Sequence, residues 1–183
     1  MRRRSLWILA VLLVLVIGGA VALVLTQKPS LDDARDSVDT RWNAIRPALE
    51  ARYEKLGAAR AAFVEAAGAE RTVAVDLQDA LDDWHRALDG DDATAQAAAS
   101  NRLEADGTRL QANVLGSPRL NQSQPLLDAL TAFNASAPDR ALVQAYNRAV
   151  RDYEDTRNGS LEKPVARVFG FGARPLLVVG AAP

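Results

Sequence analysis

The chain's one histidine, His85, lies three residues after Asp82 and four before Asp89. On a helix these offsets bring all three side chains to neighbouring positions. An imidazole flanked by two carboxylates is a donor set that zinc or manganese would accept, and an acid–base pair could be built from it. The surrounding pattern argues for a simpler reading. Leu77, Leu81, Trp84 and Leu88 recur at helical steps, so Asp82, His85 and Asp89 fall opposite that apolar stripe or at its margin, on a solvated face. No His-Glu-x-x-His spacing accompanies them. The acidic run Asp89-Gly90-Asp91-Asp92 hints at a calcium loop, but the twelfth position of such a loop would be Ser100, which has no carboxylate. It reads instead as a turn in which Asp92 caps the next helix.

Other chemistries lack their residues. There is no cysteine, hence no thiol nucleophile, thiolate metal site or disulfide framework. Phosphate loop, dinucleotide fingerprint and nucleophile elbow are all missing. A formal charge of -1 with no basic stripe gives no electrostatic footprint for nucleic acid. The expectation is a protein with no catalytic, metal or cofactor-binding residues. Its rival is an envelope hydrolase or metal-dependent enzyme using Asp82, His85 and Asp89, and a third reading is a bundle that senses ligands between its helices.

The elements that would position any site are helices. Leu31, Ala34, Val38, Trp42, Ile45, Leu49, Tyr53, Leu56, Ala59, Phe63 and Ala66 are separated by steps of three and four throughout, an amphipathic stripe over a long rod. Pro47 interrupts it, predicting a kink near Asn43 or a restart at Pro47. The segment holding His85 forms a second rod. Residues 93–115 form an alanine-rich third, in which Gly107 costs about 1 kcal/mol of helix propensity. Gly116-Ser117-Pro118 ends it, residues 117–125 read as loop, and Leu126, Leu130 and Phe133 mark a short helix. Pro138 opens a last rod with Leu142, Tyr146, Val150 and Tyr153 on its apolar edge, ending near Asn158-Gly159. Long helices with short connections fold back on each other to bury their stripes. The predicted class is therefore all-α: an antiparallel up-and-down bundle of about four long helices, preceded by a transmembrane helix.

Residues 6–25 are twenty positions without a charge, fourteen of them Leu, Ile or Val, a rise of about 30 Å as a helix and one hydrocarbon thickness. Three arginines precede the run and only Lys28 follows before Asp32-Asp33, which orients the N-terminus to the cytoplasm. The expected organisation is a cytoplasmic stub at 1–5, an anchor at 6–26 contacting the lipid bilayer, a bundle outside at 30–172, and an apolar tail at 173–183. A cleaved signal peptide ending near Ala20-Val21-Ala22 is the alternative.

Trp42, Trp84, Tyr146 and Tyr153 sit at helical spacing, which makes them core. Tyr146 and Tyr153 are seven residues apart and share a face, so both hydroxyls need partners at one seam, where Asn147 is a natural donor. Further on, Phe169-Gly170-Phe171-Gly172 sets two rings on a backbone free to turn sharply, and such rings dock where a crevice is near. The order Tyr146-Asn147, Val150, Arg151-Asp152-Tyr153, then Ala166 and Phe169-Gly170-Phe171, resembles the C-terminal signature of the LemA family. The likeness extends to Val38, Trp42, Ile45, Leu49 and Arg52-Tyr53-Glu54 and to Leu110-Gln111-Ala112-Asn113. The chain departs from that pattern at Glu154, Arg157 and Ser160-Leu161.

What the resemblance implies is a bacterial, membrane-anchored helical bundle, with Tyr146, Asn147, Val150, Tyr153, Ala166, Phe169, Gly170 and Phe171 as signature or interaction residues. Residues 176–179 lie beyond the match, as a tail packed back on the bundle, or as a docking strand or membrane-surface contact. The function expected from all of this is a scaffold or adaptor for envelope proteins in the bacterial cytoplasmic membrane.

Overall fold

The computed structural model describes residues 2–69 and 71–180, apart from the side chains of 2–6, 8–14, 16, 17, 20 and 21. Among them are six α-helices and no strand: α1 (Arg2–Ala67), α2 (Thr72–Asp89), α3 (Ala93–Leu115), α4 (Gln124–Ala135), α5 (Arg140–Arg157) and α6 (Glu162–Val168), with a 3₁₀ turn at Leu120–Gln122. The protein is an all-helical bundle. Two compact units divide it: the first comprises Met1–Val38 and Arg151–Ala173, the second Asp39–Val150 and Arg174–Pro183.

The second unit is antiparallel in its first three helices. Going up α1, Arg46 meets Asp91, the Tyr53 ring meets Trp84, and Arg60 donates to the carbonyl of Ala74, so α2 runs opposite. Ion pairs of Asp83 with Arg102 and of Asp76 with Arg109 turn α3 back again. Phe133 beside Arg52 and Tyr146 beside Trp42 then bring α4 and the start of α5 down along α1. The core follows the stripe read from the sequence: Trp42, Ile45, Leu49, Tyr53 and Leu56 are at most 2% exposed.

α1 is one uninterrupted helix that runs through Pro29 and Pro47, so the restart predicted at Pro47 does not occur. Packing of its stripe outweighs the local cost of the missing N–H, which is about 3 kcal/mol. α3 has the predicted bounds, with the Asp92 carboxylate accepting from Thr94 N at 2.9 Å and Ala95 N at 3.2 Å as its cap. Gly107 has a packing reason: a Cβ there would stand 3.1 Å from the Phe133 ring. The sequence indicated about four long helices, and α6 was not among the expected elements. Its seven residues are too few to show a 3.6-residue period.

The first unit buries Leu31, Val38, Tyr153, Val165, Ala166 and Phe171. Among the described residues no helix is long and apolar enough to cross a membrane. The expected anchor at 6–26 falls mostly on side chains outside the described residues.

Candidate functional site

Asp82, His85 and Asp89 are all exposed. The Asp82 carboxylate accepts from Gln78 Nε2 at 2.8 Å. No group of three potential metal ligands occurs among the described residues. Helical spacing put the trio on one face, and the apolar stripe of α2 turned that face to water.

Three residues of the family-like signature bond to the chain's C-terminal stretch, Tyr153 in the first unit and Tyr146 and Asn147 in the second. In the first unit, Tyr153 Oη donates to the carbonyl of Gly172 at 2.7 Å. Phe171 is buried, and its N–H donates to Ala166 O at 2.9 Å, which closes the turn after α6. That turn needs Gly170, whose φ is +71°, a left-handed conformation that costs other residues about 1 kcal/mol or more. The two phenylalanines part company: Phe171 docks as expected, whereas Phe169 stays 46% exposed, with the Lys28 ammonium 5.9 Å from its ring centre. Two of the departures from the family pattern answer each other, since Arg157 Nε donates to Glu154 Oε2 at 3.0 Å. An i,i+3 pair on the last turn of α5 holds that turn helical.

In the second unit, residues 175–180 run between α3 and α5, held by side chains on both edges. Toward α5, Tyr146 Oη donates to Pro175 O at 3.0 Å, and the Asn147 amide both donates to Leu177 O and accepts from Leu177 N, each at 2.8 Å. Toward α3, Asn101 Nδ2 donates to Leu176 O at 2.7 Å, Asn101 Oδ1 accepts from Val178 N at 2.8 Å, and Glu104 Oε2 accepts from Gly180 N at 3.3 Å. Odd-numbered residues thus bond to α5 and even-numbered ones to α3. This alternation is that of an extended chain, whose successive residues point their N–H and C=O groups to opposite edges. A side-chain amide offers one carbonyl and one NH₂, the same pair a neighbouring strand would present. Two asparagines therefore do for this segment what flanking strands do in a sheet.

Arg174 anchors the start of the segment, through Asp39 at 2.8 Å and Thr94 Oγ1 at 2.6 Å. Leu177 plugs it, 2% exposed, while Leu176 and Val178 face outward at 41% and 58%. Beneath lies a polar layer with every member satisfied. Trp42 Nε1 donates to Gln96 Oε1 at 2.6 Å, and Gln96 Nε2 donates to Ala87 O. Arg52 forks onto Glu104 at 2.6 and 2.9 Å, donates to Phe133 O at 2.7 Å, and stacks 3.9 Å from the Phe133 ring centre. No buried side-chain polar atom among the described residues lacks a partner. Burial, with the Glu104 charge adding to it, pushes the Tyr53 hydroxyl far above the ordinary tyrosine range. Burial likewise raises Tyr146 to about 12, with Arg174 lowering it and Asp39 raising it.

Both hydroxyls expected at one seam find backbone partners, Tyr146 at Pro175 with Asn147 beside it at Leu177, and Tyr153 at Gly172 in the first unit. Sequence reasoning missed the opposite wall, Asn101 and Glu104, and the anchors Asp39 and Thr94. One signal was available: Asn101 and Glu104 interrupt an alanine-rich helix three residues apart. No family model matches the chain, and no curated protein or solved structure shows significant similarity to it. The likeness to the LemA family therefore rests on the residues quoted for it.

Proposed function

We propose that this chain is a single-pass, membrane-anchored helical bundle of the LemA-like type that acts as a non-enzymatic scaffold or adaptor for other envelope proteins. In this reading the N-terminus lies in the cytoplasm, residues 6–26 span the bacterial cytoplasmic membrane, and the bundle stands outside. The observation that carries it is the apolar surface of the first unit. Trp7, Leu15 and Leu25 are 74%, 65% and 71% exposed along α1, within the charge-free run of residues 6–25. Hydrocarbon suits such a surface and water does not.

A second feature supports the same geometry. Lys28, three residues beyond that run, lies near the exposed ring of Phe169, and Val168 beside it is 77% exposed. A cation next to an aromatic side chain is the usual furniture of the headgroup zone. The adaptor role rests on Leu161, Val168 and Phe169, exposed apolar side chains of the first unit that give other envelope proteins a surface to pack on.

Three measurements test the proposal. The chain should stay with membranes after alkaline carbonate washing and be released when residues 2–26 are removed; a full-length chain that washes off sinks the anchor. Protease added to spheroplasts should digest the bundle, and digestion only after lysis would reverse the orientation. Photo-crosslinking in intact membranes should then attach other envelope proteins to the bundle, and repeated failure to capture any neighbour counts against the adaptor role.

A further inference from the structure

The segment Arg174 to Gly180 is held in the second unit almost wholly through its backbone. Six of its backbone polar groups, the carbonyls of 175, 176 and 177 and the N–H groups of 177, 178 and 180, bond to side chains of Tyr146, Asn147, Asn101 and Glu104. Backbone groups are common to every peptide. Only two side chains of the segment are gripped: Leu177, which is buried, and Arg174, which is paired with Asp39 and Thr94. Leu176 and Val178 point to solvent, so the groove places little demand on them. Beside residues 177–180 lies an open cleft of about 560 Å³ lined by Pro138, Arg140, Val143 and Gln144, with room for side chains larger than those of the tail.

We propose that the groove between α3 and α5 is a peptide-binding site, filled in cis by residues 174–180 and open in trans to an extended, apolar segment of another protein with an Arg-x-x-Leu spacing. The ligand adds itself as a strand-like element, with main-chain hydrogen bonds supplying affinity and the Leu and Arg subsites supplying selectivity. The proposal rests on the adaptor reading above and gives that adaptor a partner class. A tethered tail competes at an effective concentration of the order of millimolar. The partner is therefore admitted in proportion to the fraction of open groove, which makes the tail an autoinhibitory gate.

The test uses the full chain in detergent micelles and, as probe, a fluorescein-labelled peptide copying residues 173–180. Leu177→Asp in the protein should expel its own tail, and the probe should bind that variant about tenfold or more tighter than it binds the unmodified chain. Adding Asn147→Ala to Leu177→Asp removes both hydrogen bonds to residue 177 and should weaken the probe again by about thirtyfold, as two such bonds at about 1 kcal/mol each would. A probe carrying Asp in place of its buried leucine should not bind. Circular dichroism and melting accompany each variant. The proposal is overturned by a folded Leu177→Asp protein that ignores the probe, or by equal binding with and without Asn147. It is overturned equally if Leu177→Asp loses its helicity, because the tail is then part of the core rather than a ligand. Failure of the groove leaves crosslinked neighbours on other faces, whereas failure of the adaptor reading leaves the peptide titration intact.

Discussion

The two units treat their aromatic side chains differently. In the second, Trp42, Tyr53, Phe63, Trp84, Phe133 and Tyr146 are all buried, and the polar atoms buried with them are paired. In the first, Tyr153 and Phe171 are buried but Trp7 and Phe169 are 74% and 46% exposed. The same helix, α1, carries its buried stripe into both units, and in the first it also bears the exposed Trp7, Leu15 and Leu25. An amphipathic stripe tells a helix which side to bury against neighbours, while an all-round apolar segment has no such side and suits an apolar solvent. The second unit is thus a core that closes on itself, whereas the first leaves Trp7, Leu15 and Leu25 exposed along α1.

That contrast is open to attack, most forcefully at Trp42. Trp42→Ala should cost about 3 to 5 kcal/mol in a denaturant melt, since it empties a large core volume and strands the Gln96 carbonyl; a loss under 1 kcal/mol would mean that the second unit has no such core. Alkali is the next probe. Unfolded tyrosines lose their proton near pH 10, whereas folded Tyr146 holds its proton to about 12 and Tyr53 higher still. Above pH 10 the unfolded chain binds fewer protons, so stability falls as pH rises, by about 1.4 kcal/mol per pH unit for each fully protected tyrosine. Tyr53→Phe should make that decline shallower, and an unchanged slope in pH-dependent urea midpoints would contradict the burial.

Smaller effects sharpen the comparison further. Gly107→Ala gains up to about 1 kcal/mol of helix propensity but crowds Phe133, at about 1 to 3 kcal/mol, for a net loss of about 1 in thermal melts. Phe169→Ala in the first unit should change stability by less than about 0.5 kcal/mol while weakening the chain's retention on liposomes; a large loss of stability would make Phe169 core, like Phe171. His85→Ala should leave melting within about 0.5 kcal/mol of the unmodified chain and leave any cellular phenotype unchanged. Loss of function in a folded His85→Ala protein would revive the enzyme reading.

Much of the fold was legible because it rests on local periodicity. The stripe from Leu31 to Phe63, the bounds of α3 and its Asp92 cap follow from spacing and capping chemistry within a few residues of sequence. α6 was not legible, since two turns of helix carry no measurable period. Half of the tail groove was legible too: the Tyr146 and Tyr153 hydroxyls needed partners, with Asn147 a donor beside them, and Pro175, Gly172 and Leu177 provide the acceptors. Asn101 and Glu104, marked only by interrupting an alanine-rich helix, were passed over for a physical reason. On an exposed helix a polar residue signals only solvent, until a segment 75 residues away in the chain lies across it.

By itself the sequence determined that this chain forms long helices, which faces of them are apolar, and that its first apolar run carries no charge. Those properties follow from residue type and spacing along one helix. Only the tertiary structure decided that α1 passes unbroken through Pro47, that Gly107 makes room for Phe133, and that the last described segment lies extended between two asparagines. These depend on which surfaces meet, and helix period does not encode the distance between residues 101 and 176 in space. Burial and pairing across that distance turned an ordinary polar helix face into a clamp for a peptide backbone.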